Sequence, residues 1–269
     1  MSSLVKPNAN GNLFEIKTVQ SGAFRTLIEA LKEILTEANI EFDQHGMKII
    51  AVDETHTILV YLRLHADRFE HYYCPSKQVL GINMIYLFKL IKTLENNDSL
   101  TLYLPANNPN KLGVMMEDAK KQITKNYYLK LFDTTVEDIQ IPALSFSSII
   151  HMPSTDFQKF CRDMNALGER VEITSTNGDL IFKCLGDFAD NEIHIRESQG
   201  NMRVQKQNGS NEIVQGIFQL KHLFLFTKCT NLCPSIELYL KNDAPLILRY
   251  TVANLGEVKL VLAPLKNKN

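Results

Sequence analysis

The segment Ser99-Leu100-Thr101-Leu102-Tyr103-Leu104 returns 136 positions later as Ser235-Ile236-Glu237-Leu238-Tyr239-Leu240. At the same spacing, Met84–Lys92 runs alongside Leu220–Lys228, with apolar and basic positions in step. Nearer the start of each half the offset is 133, where Ser21-Gly22-Ala23-Phe24-Arg25-Thr26-Leu27 matches Ser154-Thr155-Asp156-Phe157-Gln158-Lys159-Phe160. An offset that drifts by three residues over eighty describes two copies of one domain that differ by small loop insertions. The period is far too long for a solenoid. A function for this chain therefore has to use a two-fold repeated structure.

The 269 residues suit two domains of about 130 residues, each able to bury a core. At 45% hydrophobic and 22% charged, the composition is that of an ordinary globular protein. No run approaches the roughly eighteen apolar residues of a membrane span. The first twelve residues are polar and lack an apolar signal core, and they read as a flexible tail. Five scattered cysteines, Cys74, Cys161, Cys184, Cys229 and Cys233, read as reduced thiols of an intracellular protein. A net charge of −1 gives no global attraction to nucleic acid, so any basic site has to be local.

The element order is legible in outline. Phe14–Val19 alternates like a strand, and Ser21 is placed to cap a helix whose Phe24, Leu27, Ile28, Leu31, Ile34 and Leu35 recur at helical spacing. Strands follow at Ile40–Asp43, Lys48–Val52 and Thr57–Leu64, with a turn at His45-Gly46. A helix over Met84–Leu94 precedes strands at Leu100–Leu104, Leu112–Glu117 and Tyr127–Leu131. The second half repeats the scheme with strand Ser147–Met152, helix Asp156–Leu167, strands Val171–Ser175 and Leu180–Cys184, and a polar loop region. Helix Lys221–Thr227 and strands at 235–240 and 246–252 complete it. The expected division is a tail over 1–12, a domain over 13–131, a connector over 132–146 and a domain over 147–269. Each domain is α+β, strand-rich with two helices. The connector is acidic and ends in Pro142, yet holds Val136, Ile139 and Ile141, apolar residues that a loop does not require.

Every expected helix carries a basic pair opposite its apolar stripe. The pairs are Arg25 with Lys32, Lys89 with Lys92, Lys159 with Arg162, and Lys221 with Lys228, at spacings of three or seven that return to one face. Solvated helix faces carry charge anyway, but four helices out of four favour a surface for phosphates. Catalytic groupings are poor beside this. Asp53-Glu54-Thr55-His56 reads as a polar turn between strands. Cys229 and Cys233 lack the partners of a zinc site, and Cys161 reads as a buried helix thiol. Gly22 and Gly113 stand alone, without a phosphate-binding loop. The residues point to no enzyme, no metal and no cofactor.

From Phe14 to about Leu265 the chain resembles the sliding clamps of the proliferating cell nuclear antigen type. The residues that carry the resemblance are Leu27–Glu33, Val52-Asp53-Glu54-Thr55-His56, Tyr72-Tyr73-Cys74, Leu80-Gly81-Ile82-Asn83 and Leu129-Lys130-Leu131-Phe132-Asp133. In the second half they are Met152-Pro153-Ser154, Phe160-Cys161-Arg162-Asp163, Phe226-Thr227-Lys228, Asp243-Ala244-Pro245-Leu246 and Leu262-Ala263-Pro264. The resemblance implies two duplicated clamp domains per chain and a ring-forming trimer whose helices line a channel around double-stranded DNA. It implies a processivity factor for DNA polymerase that performs no chemistry. Carried over, the basic helix residues become channel contacts. Val52, His56, Leu59, Ile139, Ile141, Pro245, Ala263 and Pro264 become a docking pocket for peptides of polymerase, clamp loader, ligase and nuclease. Tyr127 meets Ile193 and Ile195 across a subunit seam of a homotrimer. The location implied is the nucleus, or a viral replication compartment.

The departures from the family pattern are specific. Thr26 and Ala166 stand where basic or histidine side chains are common in the family, and Asn177 stands where relatives carry a modified lysine. The N-terminal extension, the asparagines of 107–110 and the loop of 197–211 are unusual. A checkpoint-type clamp subunit of a heterotrimer, and a monomeric or dimeric polymerase accessory factor of the same fold, stand as alternatives.

Overall fold

The computed structural model describes residues 7–133, 139, 145–206 and 212–265. Within these the chain forms two compact units, one drawn from Met1–Ala51, Tyr61–Ile139 and Val252–Glu257, the other from Val52–Val60, Gln140–Thr251 and Val258–Asn269.

In the first half the order is β1 (Asn12–Thr18), α1 (Ser21–Leu31), β2 (Glu37–Asp43), β3 (Gly46–Val52), β4 (Ile58–His65), β5 (His71–Tyr73), β6 (Gln78–Asn83), α2 (Met84–Ile91), β7 (Ser99–Pro105), β8 (Lys111–Asp118) and β9 (Ile123–Lys130). One sheet runs β5-β1-β7-β8-β9, and a second run of neighbours is β4-β3-β2-β6. β1 alternates buried and part-exposed residues, so Phe14 and Ile16 enter the core, and Phe14 stacks on Phe42 of β2 at 4.5 Å between ring centroids. The hairpin between β2 and β3 is closed by the Asp43 carboxylate, which accepts the N–H groups of His45 and Gly46 at 2.7 and 3.0 Å. Gly46 sits at φ 140°, and a Cβ there would lie 1.9 Å from the Leu64 carbonyl oxygen, so only glycine fits.

The second half repeats the scheme with β10 (Ser148–Pro153), α3 (Ser154–Asn165), β11 (Arg170–Ser175), β12 (Asp179–Leu185), β13 (Asp190–Arg196), β14 (Arg203–Lys206), β15 (Val214–Gln219), α4 (Leu220–Phe226), β16 (Ser235–Leu240), β17 (Leu246–Val252) and β18 (Gly256–Leu262). Its runs are β14-β10-β16-β17-β18 and β13-β12-β11-β15, strand for strand the orders of the first half. The fold is α+β with four α-helices among the described residues.

The duplication extends to single hydrogen bonds. Ser21 and Ser154 open the first helix of each half, and each turns its hydroxyl to the chain that follows the second helix. Ser21 Oγ donates to the Glu95 carbonyl at 3.0 Å, and Ser154 Oγ to that of Cys233 at 2.6 Å. Ser21 is thus the first residue of α1 and joins two segments, where the sequence suggested a cap; Gln20 holds the cap position without a side-chain bond. Asn83 is a true cap, accepting the Tyr86 N–H at 3.0 Å. The polar stretch after β12 holds β13, β14 and β15 where a loop was expected, and β5, β6 and β18 are further strands the sequence reading missed.

Candidate nucleic-acid interface and docking surfaces

Each helix buries one stripe. In α3 it is Ser154, Phe157, Cys161 and Met164, and in α2 it is Met84, Leu87 and Ile91. Lys159 and Arg162 stand exposed on the opposite side of α3, and Lys89 and Lys92 do so at the end of α2. Lys221 is exposed on α4, and Lys228 is exposed on the 3-10 turn Thr227–Leu232 that continues it, one residue beyond the expected helix. None of these six cations forms an ion pair among the described residues, although Lys89 and Lys228 lie over the rings of Tyr86 and Phe224, each at 5.2 Å.

Arg25 and Lys32 differ, both being half-buried. Arg25 Nη1 donates to the Leu94 carbonyl, so its guanidinium links α1 to the chain beyond α2. Its counterpart in the repeat is Gln158, whose amide donates to the Thr227 carbonyl at 3.2 Å. A neutral side chain makes the equivalent cross-helix link, which marks the position as one that couples helices. Lys32 pairs with Glu33 and lies 5.0 Å from the Phe88 ring centroid.

In the second unit, Asp53 organises the turn before β4. Its carboxylate accepts the N–H groups of Ile58 at 2.6 Å, Thr57 at 2.8 Å and Thr55 at 3.2 Å, together with the Thr55 hydroxyl. Burial pushes the Asp53 carboxyl up, but the Thr55 hydroxyl and the three N–H groups outweigh it and hold the group below the usual carboxylate range. The turn displays His56 to solvent at φ 53°. The Ala263 N–H donates to the Thr57 carbonyl at 3.3 Å, bringing the segment after β18 to this turn. Val52, Leu59 and Pro264 are half-buried and Ala263 is exposed, while Pro245 immediately precedes β17, the neighbour of β18. Ile139 is half-buried. Ile141 lies outside the described residues.

Tyr127 lies on β9, the last strand of its sheet, and six successive residues of that strand, Ile123–Tyr128, are exposed. Tyr127 itself is 36% exposed. Ile193 and Ile195 lie on β13, also the last strand of its sheet, where Ile193 is half-buried and Ile195 is buried. The Ile195 side chain therefore belongs to the core face, and what β13 offers outward is its backbone edge with Glu192, His194 and Arg196. A cross-strand row runs Tyr103, Gly113, Tyr128, in which the Tyr103 ring fills the space over Gly113 and meets Tyr128 edge-on at 6.3 Å.

Among the described residues no group of three His, Cys, Asp or Glu side chains is arranged to hold a metal, and no helix is long and apolar enough to cross a membrane. The five cysteines are free and buried.

Residues 13–139 match the family model described as proliferating cell nuclear antigen, N-terminal domain, and residues 140–265 match that of the C-terminal domain. The chain is also similar to the probable DNA polymerase sliding clamp 1 of Paramecium bursaria Chlorella virus 1. That likeness is 32% identity over 257 residues, covering 94% of this chain and 97% of the relative.

Proposed function

The chain belongs to the proliferating cell nuclear antigen family of DNA sliding clamps, and from that premise we propose that three copies close into a ring around duplex DNA. The observation that carries this reading is the set of six exposed cations, Lys89, Lys92, Lys159, Arg162, Lys221 and Lys228. They stand opposite the apolar stripes of the helices, without ion-pair partners among the described residues, in a chain of net charge −1. Phosphates carry no sequence information, so such a surface binds any duplex weakly and in a salt-sensitive way, with dissociation constants on the order of 10⁻⁴–10⁻⁶ M. A closed ring converts weak contact into long residence, because the ring has to open before it leaves, and smeared contacts permit sliding. Arg25 and Lys32 contribute less, since both already serve the α1–α2 pair.

The terminal strands β9 and β13 support the assembly. An unpaired strand edge invites uncontrolled pairing, and joining one copy's β9 to the next copy's β13 head to tail closes the set. On the outer side, Val52, His56, Leu59, Ile139, Ile141, Pro245, Ala263 and Pro264 would take the apolar anchors of short peptides from polymerase, clamp loader, ligase or nuclease. The ring performs no reaction of its own. It would act where DNA is replicated, in the nucleus or in a viral replication compartment.

Sedimentation velocity over a range of concentrations tests the assembly. The expected species has three times the 30.7 kDa mass of the chain. A particle of one or two chains at every concentration would overturn the homotrimer and favour a heterotrimer subunit or a smaller accessory factor.

A further inference from the structure

Phe188 stands 77% exposed at the tip of the β12–β13 hairpin, with Leu185 beside it at 67%. Large apolar side chains gathered on so short a tip mark a contact surface. The tip is held in shape by close backbone approach, since a Cβ on Gly186 would lie 2.5 Å from the carbonyl oxygens of both Leu167 and Ala189. Asp187 and Asp190 flank it and are exposed. In the first unit, an apolar cleft of about 490 Å³ opens beside the C-terminal end of β9. Its lining includes the apolar Tyr86, Leu90 and Phe132 and the charged Lys89, Lys130 and Glu37.

We propose that Phe188 of one copy enters this cleft of the next, so that a hairpin plug and its socket complete the seam that β13 and β9 begin. The inference rests on the trimer reading above. Among the described residues every strand pairing in the two sheets that end in β9 and β13 is antiparallel, and a strand added to either edge continues that pattern. Antiparallel addition sets the N-terminal end of β13, where the hairpin turns, against the C-terminal end of β9, where the cleft opens. The opposite end of β9 offers no such fit. The cleft there is only about 60 Å³, room for roughly two water molecules, and its charged lining is Glu95, Asp98 and Asp118 with Lys121 and Lys125. Three carboxylates against two lysines leave that end net negative, whereas Lys89 and Lys130 against Glu37 leave the other end net positive, so an acidic hairpin is favoured at the C-terminal end of β9. Phenylalanine at the centre, carboxylates against lysines at the rim and exclusion of water between them are the composition of an interface anchor.

Phe188→Ser should raise the subunit dissociation constant at least tenfold, while Phe188→Leu should raise it no more than about threefold. The melting curve of the dissociated chain should not move, because the ring is already in water there. A paired variant, Phe188→Cys with Leu90→Cys, should give covalently linked chains on oxidation, and neither change alone should do so, since the five native thiols are buried. This second test decides the matter if Phe188→Ser does not fold. A trimeric parent whose trimer is unchanged by Phe188→Ser, or whose paired cysteines never link, overturns the plug and leaves the ring standing. A parent that never exceeds one chain removes both.

Discussion

At the scale of single residues, repetition separates cations that hold the fold from cations that face outward. Arg25 shares its place with Gln158, and both tie the first helix of a half to the chain after the second. Arg25→Ala is therefore expected to lower unfolding free energy by about 1–3 kcal/mol, the cost of leaving a carbonyl without its charged donor. Urea unfolding measures this. Lys159→Ala should instead leave stability within about 0.5 kcal/mol of the parent and reduce the slope of log affinity for DNA against log salt by roughly 0.9. An Arg25→Ala protein as stable as the parent would show that the cross-helix bond is incidental. His222 supplies a pH dependence. It is buried on α4 with Nδ1 unpartnered among the described residues. Burial depresses its pKa from the ordinary 6.5, the neighbouring Lys221 adds to that, and Asp53 opposes it. The unfolded chain thus takes up this proton first as pH falls. The contribution of the neutral ring is complete above about pH 6.5 and is lost progressively below it. Urea midpoints at pH 7.5 and 5.5 should drop less for His222→Phe than for the parent, and an equal drop would place the titration elsewhere.

At the scale of elements, the proposed assembly rests on two strand edges, and they were also the hardest elements to read. Helices α1 to α4 were visible because Phe157, Cys161 and Met164 and their counterparts recur with the period of a helix. β13 was hidden because it is a terminal strand with few buried side chains, so Asp190, Glu192, His194 and Arg196 make it look like a polar loop. β9 starts four residues earlier than its sequence suggests for the same reason, as nothing in Ile123–Tyr128 is buried. The basic helix residues could be named from spacing alone, but which of them meet the second helix region could not, because the Leu94 carbonyl that Arg25 reaches and the Phe88 ring under Lys32 lie 69 and 56 positions away. The Phe188 tip carried no sequence signal at all, since exposure is a property of the folded hairpin. If β9 is the seam, Tyr127→Ala should weaken subunit association by about 1–3 kcal/mol, and the variant should dissociate on dilution while keeping its far-ultraviolet circular dichroism. A variant still trimeric at nanomolar concentration would move the seam to another edge. The connector is read through Ile139, half-buried, together with Ile141. Changing both to serine should weaken an apolar, aromatic peptide at least tenfold by fluorescence anisotropy without altering subunit association. Equal peptide affinity would assign the two isoleucines to the fold alone.

At the scale of the whole molecule, the duplication gives the chain two versions of the same plan of nine strands and two helices, each including a terminal strand, β9 or β13, and each with cations on its helices. In the proposed ring those features would act together, the terminal strands meeting between copies and the helices presenting charge to a duplex whose sequence does not matter. Residence then depends on topology more than on affinity, and that distinction can be measured. The parent protein is mixed at low salt with a linear duplex whose ends are open, and with the same duplex carrying a bulky protein block at both ends before mixing. A ring threads over open ends and is shut out by blocked ones, so binding should fall to near background on the duplex blocked before mixing, while blocking both ends after threading should keep rings in place against competitor DNA. Equal binding to the open and the blocked duplex would mean that the chain lies on the side of DNA, and would contradict encirclement.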